Sequence, residues 1–306
     1  MRTLSVVALM LLLAVPSTTS AAENAGNANV VVHDLDTAGA AEHWTPERIA
    51  AMPVGPSEPG HPPVDGPDGA PAPAGRTIGR LFFVDRDGED SSCTATVVVS
   101  ANRRTAVTGG HCVHTANLIG EDPRWHTKLL FVPGFRDNTR PFGQFAVTRV
   151  VVSRTWTTDD QQSEHDQAFL VLDRPSGVSE HIAFGRPAGR EAVEYGYPRA
   201  ANQPGHQGRP EFTGQRLARC WGTPVLNPGH PEIGPENLWG VPCDMGGGSS
   251  GGPRISRGAV VGVNTQSFTI DENGKWCPFG QCVRHLGGPQ FSWKITAPLH
   301  QRASTS

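Results

Sequence analysis

One stretch of the 306-residue chain stands out chemically: Gly246-Gly247-Gly248-Ser249-Ser250-Gly251-Gly252-Pro253. Glycine reaches backbone conformations closed to other residues and lets main-chain N–H groups approach a ligand. Acyl transfer needs that setting: an exposed hydroxyl nucleophile with backbone donors aimed at a developing oxyanion. Taken alone, the stretch also reads as a flexible glycine-serine loop. Two upstream segments favour chemistry. In Thr108-Gly109-Gly110-His111-Cys112, a histidine ends a strand-like run beside a cysteine able to lock its loop. Imidazole accepts and returns a proton near neutral pH, so His111 is a candidate general base. The chain holds 12 histidines, and His114 is the nearest competitor. In Asp166-Gln167-Ala168-Phe169-Leu170-Val171-Leu172, a carboxylate opens an apolar strand. A carboxylate so placed needs a partner, and orienting a histidine would supply one. The plainer reading is a turn residue leading a strand. Asp159 and Asp160 compete, but they lie in a polar stretch.

These residues need a scaffold. From Arg76 onward, short strand-like runs alternate with turn residues. The first set is 80–85, 93–100, 105–108, 128–133, 144–153 and 168–173. The second is 192–197, 214–221, 238–243, 253–255, 259–268 and 291–296. No long helical periodicity appears. Two groups of short strands predict an all-β fold of two six-stranded antiparallel barrels or sandwiches. Barrel one spans about 77–180 and barrel two about 190–300, with the break near 174–190.

The amino end differs. Arg2, an apolar run over 4–15 and small residues ending Ser20-Ala21-Ala22 read as a secretory signal peptide, residues 1–22. The run is too short to span a bilayer, and no other stretch suggests a membrane segment. The protein is therefore expected to be secreted, into the extracellular space. Thr45-Pro46-Glu47-Arg48 is a helix start, with Thr45 as N-cap and the helix ending near Met52. Residues 53–75 are dense in Pro and Gly and read as an extended linker. Residues 23–76 are expected to be a pro-region, with a permanently attached arm as the alternative. The mature chain would begin between Gly75 and Leu81, with Arg76 and Arg80 as cut sites. A net charge of −3 gives no sign of nucleic-acid binding.

Six cysteines, Cys93, Cys112, Cys220, Cys243, Cys277 and Cys282, suggest three disulfides in an oxidising compartment. Neighbour pairing is the simplest scheme. Cys277, Cys282 and His285 also resemble metal ligands faintly, but zinc would need a fourth ligand and reduced thiols. No metal or cofactor is expected.

Together the three motifs resemble those of the trypsin-like, chymotrypsin-fold serine peptidases, above all secreted bacterial members. That family shows Thr-Ala-Ala-His-Cys, Asp-Ile-Ala-Leu and Gly-Asp-Ser-Gly-Gly-Pro in this order. The resemblance covers about residues 77–300 and is strong only at the motifs. It implies an active site in the cleft between the barrels, with Ser250 as nucleophile, His111 as base and acid, and Asp166 orienting the imidazole. Gly248 and Ser250 would supply the oxyanion-hole N–H groups, each worth about 3–4 kcal/mol to the transition state. Cys93–Cys112 would be the disulfide holding the histidine loop, worth roughly 3 kcal/mol in the chain-entropy model. The implied partner is a protein or peptide substrate, and the implied state a monomer.

Three departures matter. Gly109-Gly110 replace two alanines. Gly246 replaces a cysteine, so the pocket loops are cross-linked differently. Ser249 replaces the aspartate that receives a new N-terminal ammonium in trypsin-like zymogens, and a neutral serine cannot form that pair. Asp244 lies six residues before Ser250, the spacing of the pocket aspartate that binds Arg or Lys in trypsin itself. Asp244 also follows Cys243, so hydrogen bonding within a disulfide-bound turn is its structural alternative. Asn264 stands where glutamyl-specific relatives carry a histidine; with the small Ser267 it would leave the pocket open.

Two rival functions remain. Gly248-Ser249-Ser250-Gly251-Gly252 also matches the Gly-x-Ser-x-Gly elbow of α/β-hydrolase esterases, with Asp271 and His285 or His300 completing the order Ser, acid, His. Pro253 and the short remaining chain oppose it. A trypsin-like domain that has lost activity and persists as a binding module is the other.

Overall fold

The computed structural model describes residues 29–52, 70–73, 75–115, 124–158, 162–185, 190–199, 212–232, 234–235, 237–277 and 282–306. The expected signal peptide, most of the linker, and Asp159 and Asp160 lie outside them.

Among the described residues, nineteen strands follow one another. They are β1 (Val30–Asp34), β2 (Ala70–Pro71), β3 (Ile78–Val84), β4 (Asp90–Val97), β5 (Thr105–Thr108), β6 (His114–Thr115), β7 (Arg124–Trp125), β8 (Thr127–Pro133), β9 (Phe145–Ser153) and β10 (Ala168–Leu172). After them come β11 (His181–Ile182), β12 (Ala192–Gly196), β13 (Ala218–Gly222), β14 (Val225–Leu226), β15 (Leu238–Pro242), β16 (Pro253–Ser256), β17 (Ala259–Val263), β18 (Gln266–Ile270) and β19 (Val283–Pro289).

The first barrel closes on itself. Its ring runs β9-β10-β5-β4-β3-β8, and β8 pairs back to β9. Closure removes free strand edges. Side chains alternate across each strand: Leu81, Phe83, Cys93, Ala95 and Leu170 fill the barrel, while Phe82 faces outward. The outward faces of β5, β9 and β10 are apolar too, because the second half covers them. Val107, Val151, Phe169 and Val171 pack on Val260, Val263, Phe291 and Leu299.

The second barrel is built from two sheets, β11-β17-β16-β12-β13-β2 and β14-β15-β19-β18. Arg254, on β16, joins them. Its guanidinium donates to Glu194 on β12 at 3.3 Å, to the carbonyls of Gly288 and Pro289 at 3.4 and 3.3 Å, to the Gln290 side chain at 3.2 Å, and to the Trp239 carbonyl. Both members of the ion pair are 0% exposed. Burial raises the Glu194 carboxyl to about 8 against the pull of Arg254, and burial lowers Arg254 against the pull of Glu194. Removing one partner of such a pair typically costs about 3–5 kcal/mol, because the other charge stays buried. The Cys220–Cys243 disulfide ties the same sheets, from β13 to the end of β15.

Sequence expectations change at several points. The expected strand 259–268 divides into β17 and β18, which belong to different sheets. Residues 291–296 form no strand; they turn into a helix, Thr296–Ser304. Ser292 Oγ accepts the Ile295 amide at 3.0 Å, Thr296 Oγ1 accepts the Ser292 amide at 2.9 Å, and Leu299 and Ala303, four apart, face the core. β19 went unforeseen because its Gly287-Gly288-Pro289 reads as a turn. There the strands crowd: a Cβ on Gly288 would stand 2.0 Å from the Val263 carbonyl oxygen. Arg80, expected as a cut site, is only 1% exposed within β3 and is not open to a protease in the folded chain.

The expected helix is present as Pro46–Ala51, with the Thr45 hydroxyl accepting from the Arg48 amide at 3.3 Å. Its segment packs closely. β1 pairs with β9 over five residues. Trp44, Ile49 and Met52 are buried against Phe82, Leu130 and Phe135. The Trp44 indole donates to the Lys128 carbonyl at 2.7 Å, and Asp90 holds both His43 and Arg48 at 2.8 and 2.9 Å. Burying side chains of that size stabilises by roughly 1.5–3 kcal/mol each. Limited tryptic cleavage after the exposed Arg76 is therefore expected to leave residues 29–52 on the barrel. N-terminal sequencing of the folded, size-exclusion-purified product should give two sequences from one peak; escape of the segment would show that its packing does not hold it.

Candidate active site

β5 ends at Thr108, and the chain turns through a short 3₁₀ segment, Gly110–Cys112, carrying His111. A second 3₁₀ turn, Ser163–His165, delivers Asp166 to the mouth of β10. The structure brings the two together at two points. Asp166 Oδ1 accepts the His111 backbone amide and Oδ2 meets His111 Nδ1, both at 2.8 Å. A carboxylate can only accept, so Nδ1 carries the proton and Nε2 is left with its lone pair. Burial lowers the imidazole pKa, the charge and hydrogen bond of Asp166 raise it, and the net shift is upward from 6.5. The ring keeps 34% of its side-chain surface exposed, enough to meet a substrate, whereas Asp166 keeps 9%.

Gly110 explains one departure from the family motif. A Cβ there would stand 2.9 Å from Trp156 Nε1 and 3.0 Å from Asp166 Oδ1. The indole of Trp156 fills the space that a methyl group would need.

The Ser250 loop is held against the same half. Thr94, the residue after Cys93 on β4, donates its amide to the Ser250 carbonyl at 2.7 Å. Its hydroxyl accepts the Tyr197 amide and donates to the Gly248 carbonyl, each at 2.9 Å. Its own carbonyl accepts from Thr108 Oγ1 at 2.8 Å. A Cβ on Gly251 would lie 2.8 Å from the Gly109 amide, so the loop runs directly against the histidine segment. Ser250 is half-buried and Gly248 buried. Ser249 is 0% exposed, packed on Gly196 with no hydrogen-bond partner for its hydroxyl among the described residues.

The three cysteine pairs are 93–112, 220–243 and 277–282, as neighbour pairing predicts. Cys93–Cys112 anchors the histidine turn to β4.

The remaining candidates separate. Asn264 is fully buried, and its amide donates to the carbonyls of Tyr195 and Ser249 at 3.0 and 3.4 Å, bracing the turn behind Ser250. Asp244 is half-buried next to Cys243. Ser267 is half-buried on β18, and its hydroxyl accepts from Arg284 at 3.0 Å. Arg284 was not foreseen; nothing in its sequence surroundings separates it from a surface arginine. His114 is buried edge-on to Trp125, and burial lowers it to about 4. Asp271 accepts the turn amides of Asn273 and Lys275, His285 stacks on Phe268, and His300 meets the Val99 carbonyl. The order Ser, acid, His of an α/β-hydrolase thus finds no constellation, and the all-β fold excludes that class.

No family model and no curated protein matches the chain. Solved structures do. A thermostable serine protease, AL20, from an extremophilic microorganism is 30% identical, with a TM-score of 0.60 over 76% of this chain and 98% of that one. The chain belongs to the trypsin-like serine peptidases. Protease Anisep from Arthrobacter nicotinovorans is 25% identical, with a TM-score of 0.61 over 78% of this chain and 100% of that one. A Glu endopeptidase shares the fold at 21% identity and a TM-score of 0.52, over 74% of this chain and 90% of that one. The two-barrel architecture is the chymotrypsin fold of this family.

For a trypsin-like peptidase the upward shift at His111 fixes a sign. The cation is favoured, so the neutral ring, the form that can accept a proton, is lost as pH falls through a value above 6.5. The acid limb of kcat/KM is expected above 6.5, and Asp166→Asn should move it down while reducing turnover about ten-thousandfold. A wild-type limb below 6.5 would show that Asp166 does not govern the ring.

Proposed function

We propose that this protein is an exported serine endopeptidase that hydrolyses peptide bonds through an acyl-enzyme. Ser250 attacks the substrate carbonyl carbon while His111 Nε2 takes the hydroxyl proton. Asp166 keeps the imidazole in the required tautomer and stabilises its cation. The amides of Gly248 and Ser250 receive the oxyanion. The imidazolium returns its proton to the leaving amine, and water repeats the sequence on the ester. The observation that carries this reading is the two-point grip of Asp166 on His111, at 2.8 Å each, in a chain whose Ser250 loop is fastened to the same barrel. Export rests on the apolar amino end and is supported by the three disulfides. Among the described residues no helix is long and apolar enough to cross a membrane. Cleavage near Arg76, at the end of the expected pro-region 23–76, belongs to the same proposal, with the 29–52 segment remaining on the barrel.

Ser250→Ala is expected to lower turnover about a million-fold with the fold unchanged, and an organofluorophosphate should label Ser250 in the wild type only. Substantial residual activity would move the assignment to Ser249. An unlabelled, inactive wild type would favour a binding module.

For the substrate side chain, the reading assigns Asp244 to a pocket also walled by Ser267, with preference for Arg or Lys. Supporting it, the Cys243 amide beside Asp244 donates to the Arg284 carbonyl at 3.0 Å, and Ser267 pairs across from Leu286 on the same strand. Asp244→Ser should then cost roughly 2 kcal/mol or more, about thirtyfold, on basic substrates. A peptide library read on both proteins decides. An unchanged profile makes Asp244 structural, and a native preference for acidic residues assigns the pocket to Arg284, whose cation stands beside Ser267.

A further inference from the structure

The oxyanion hole works only if the Gly248 amide points into the cleft, and the loop that carries it is glycine at 246, 247 and 248. Glycine leaves such a peptide free to rotate, so something must hold it. Relatives described by the family motif place a charged residue before the nucleophile; here that residue is the neutral, enclosed Ser249.

We propose that Thr94 is the positioning residue for the oxyanion hole, its hydroxyl fixing the Gly248–Ser249 peptide and so limiting rotation about the Gly248 Cα, on whose other side the oxyanion N–H lies. This rests on the reading of Ser250 as nucleophile. The backbone holds one side: the Arg199 amide donates to the Gly247 carbonyl at 2.6 Å. Every described peptide is trans, so that carbonyl and the Gly248 N–H point in opposite directions. The N–H is therefore turned away from Arg199. Thr94 holds the next peptide, Gly248–Ser249, donating to the Gly248 carbonyl at 2.9 Å, so that both peptides flanking the Gly248 Cα are held. Its proton has no alternative direction, because the same oxygen already accepts the Tyr197 amide at 2.9 Å. Thr94 is 0% exposed, so water does not compete for either bond. Gly248 sits at φ 91°, where only glycine is comfortable, and a Cβ there would lie 2.4 Å from the Tyr197 carbonyl oxygen. The loop thus closes on Tyr197 and Arg199 below and on Thr94 beside.

The hydroxyl and the methyl of Thr94 can be separated. Thr94→Val keeps the shape and removes the donor; Thr94→Ser keeps the donor. Kinetics on a peptide amide are expected to show kcat reduced about ten- to a hundredfold in the valine protein, with KM within about twofold, and near-normal kcat in the serine protein. The Ki of a peptide aldehyde, which needs the oxyanion hole, should rise in step with the loss in kcat/KM. If the valine protein does not fold, Thr94→Ala carries the same expectation without crowding. Wild-type kcat in the valine or alanine variant would overturn the proposal. So would a serine variant as poor as the valine one, which would assign Thr94 to packing. A wild type that neither cleaves peptides nor is labelled at Ser250 would instead overturn the reading beneath it.

Discussion

Two adjacent residues of one strand hold the chemistry in place. On β4, Cys93 is bonded to Cys112, the neighbour of His111, and Thr94 binds Ser250 and Gly248 through its amide and hydroxyl. His111 and Ser250 arrive from opposite halves of the molecule, 139 positions apart. Both are referred to the same few ångströms of rigid, closed barrel. A disulfide fixes one loop without needing burial; hydrogen bonds fix the other because burial removes the competing water. Errors in their relative position are costly, since a displacement of about 1 Å can reduce turnover about a hundredfold.

The second half solves a different problem. Its strands fall into two sheets, and the guanidinium of Arg254 spans the gap that a continuous ladder would otherwise close. The pair with Glu194 need not be the most stable filling for that space, since a buried ion pair roughly trades desolvation against attraction. What it adds is direction. A guanidinium with five donors meets carbonyls of β15 and β19 and the carboxylate of β12 at set angles, which an apolar side chain does not. Arg254 stands four positions beyond Ser250, so the same short segment carries both the serine and the bridge.

The legible part of the sequence was its three motifs and the strands of the first barrel. His111, Asp166 and Ser250 lie in motifs whose residue types are unusual for their surroundings, and the strands of the first barrel are short, apolar runs with clear ends. What escaped depends on distant partners. Thr94 looks like any β-branched strand residue, and its carbonyl partner at Gly248 is 154 positions away. Arg254 and Glu194, 60 apart, read as ordinary charged residues at strand edges. β19 and the Thr296–Ser304 helix were hidden by local signals that packing overrode: glycines where strands crowd, and a Pro298 that suits the first turn of a helix. Asn264 looked like an open pocket wall because its two carbonyl partners cannot be inferred from spacing.

The clamp on the oxyanion loop also divides its glycines into two kinds. Gly248 is confined by its φ and by the Tyr197 carbonyl, so its identity is set by sterics. Gly247, whose carbonyl is held by Arg199, is exposed and would place a Cβ in open space, with nothing within 4 Å. Constraint there falls on the backbone alone. Position 247 is therefore where lineage-to-lineage drift can reshape the rim of the cleft while the machinery one residue further along stays fixed.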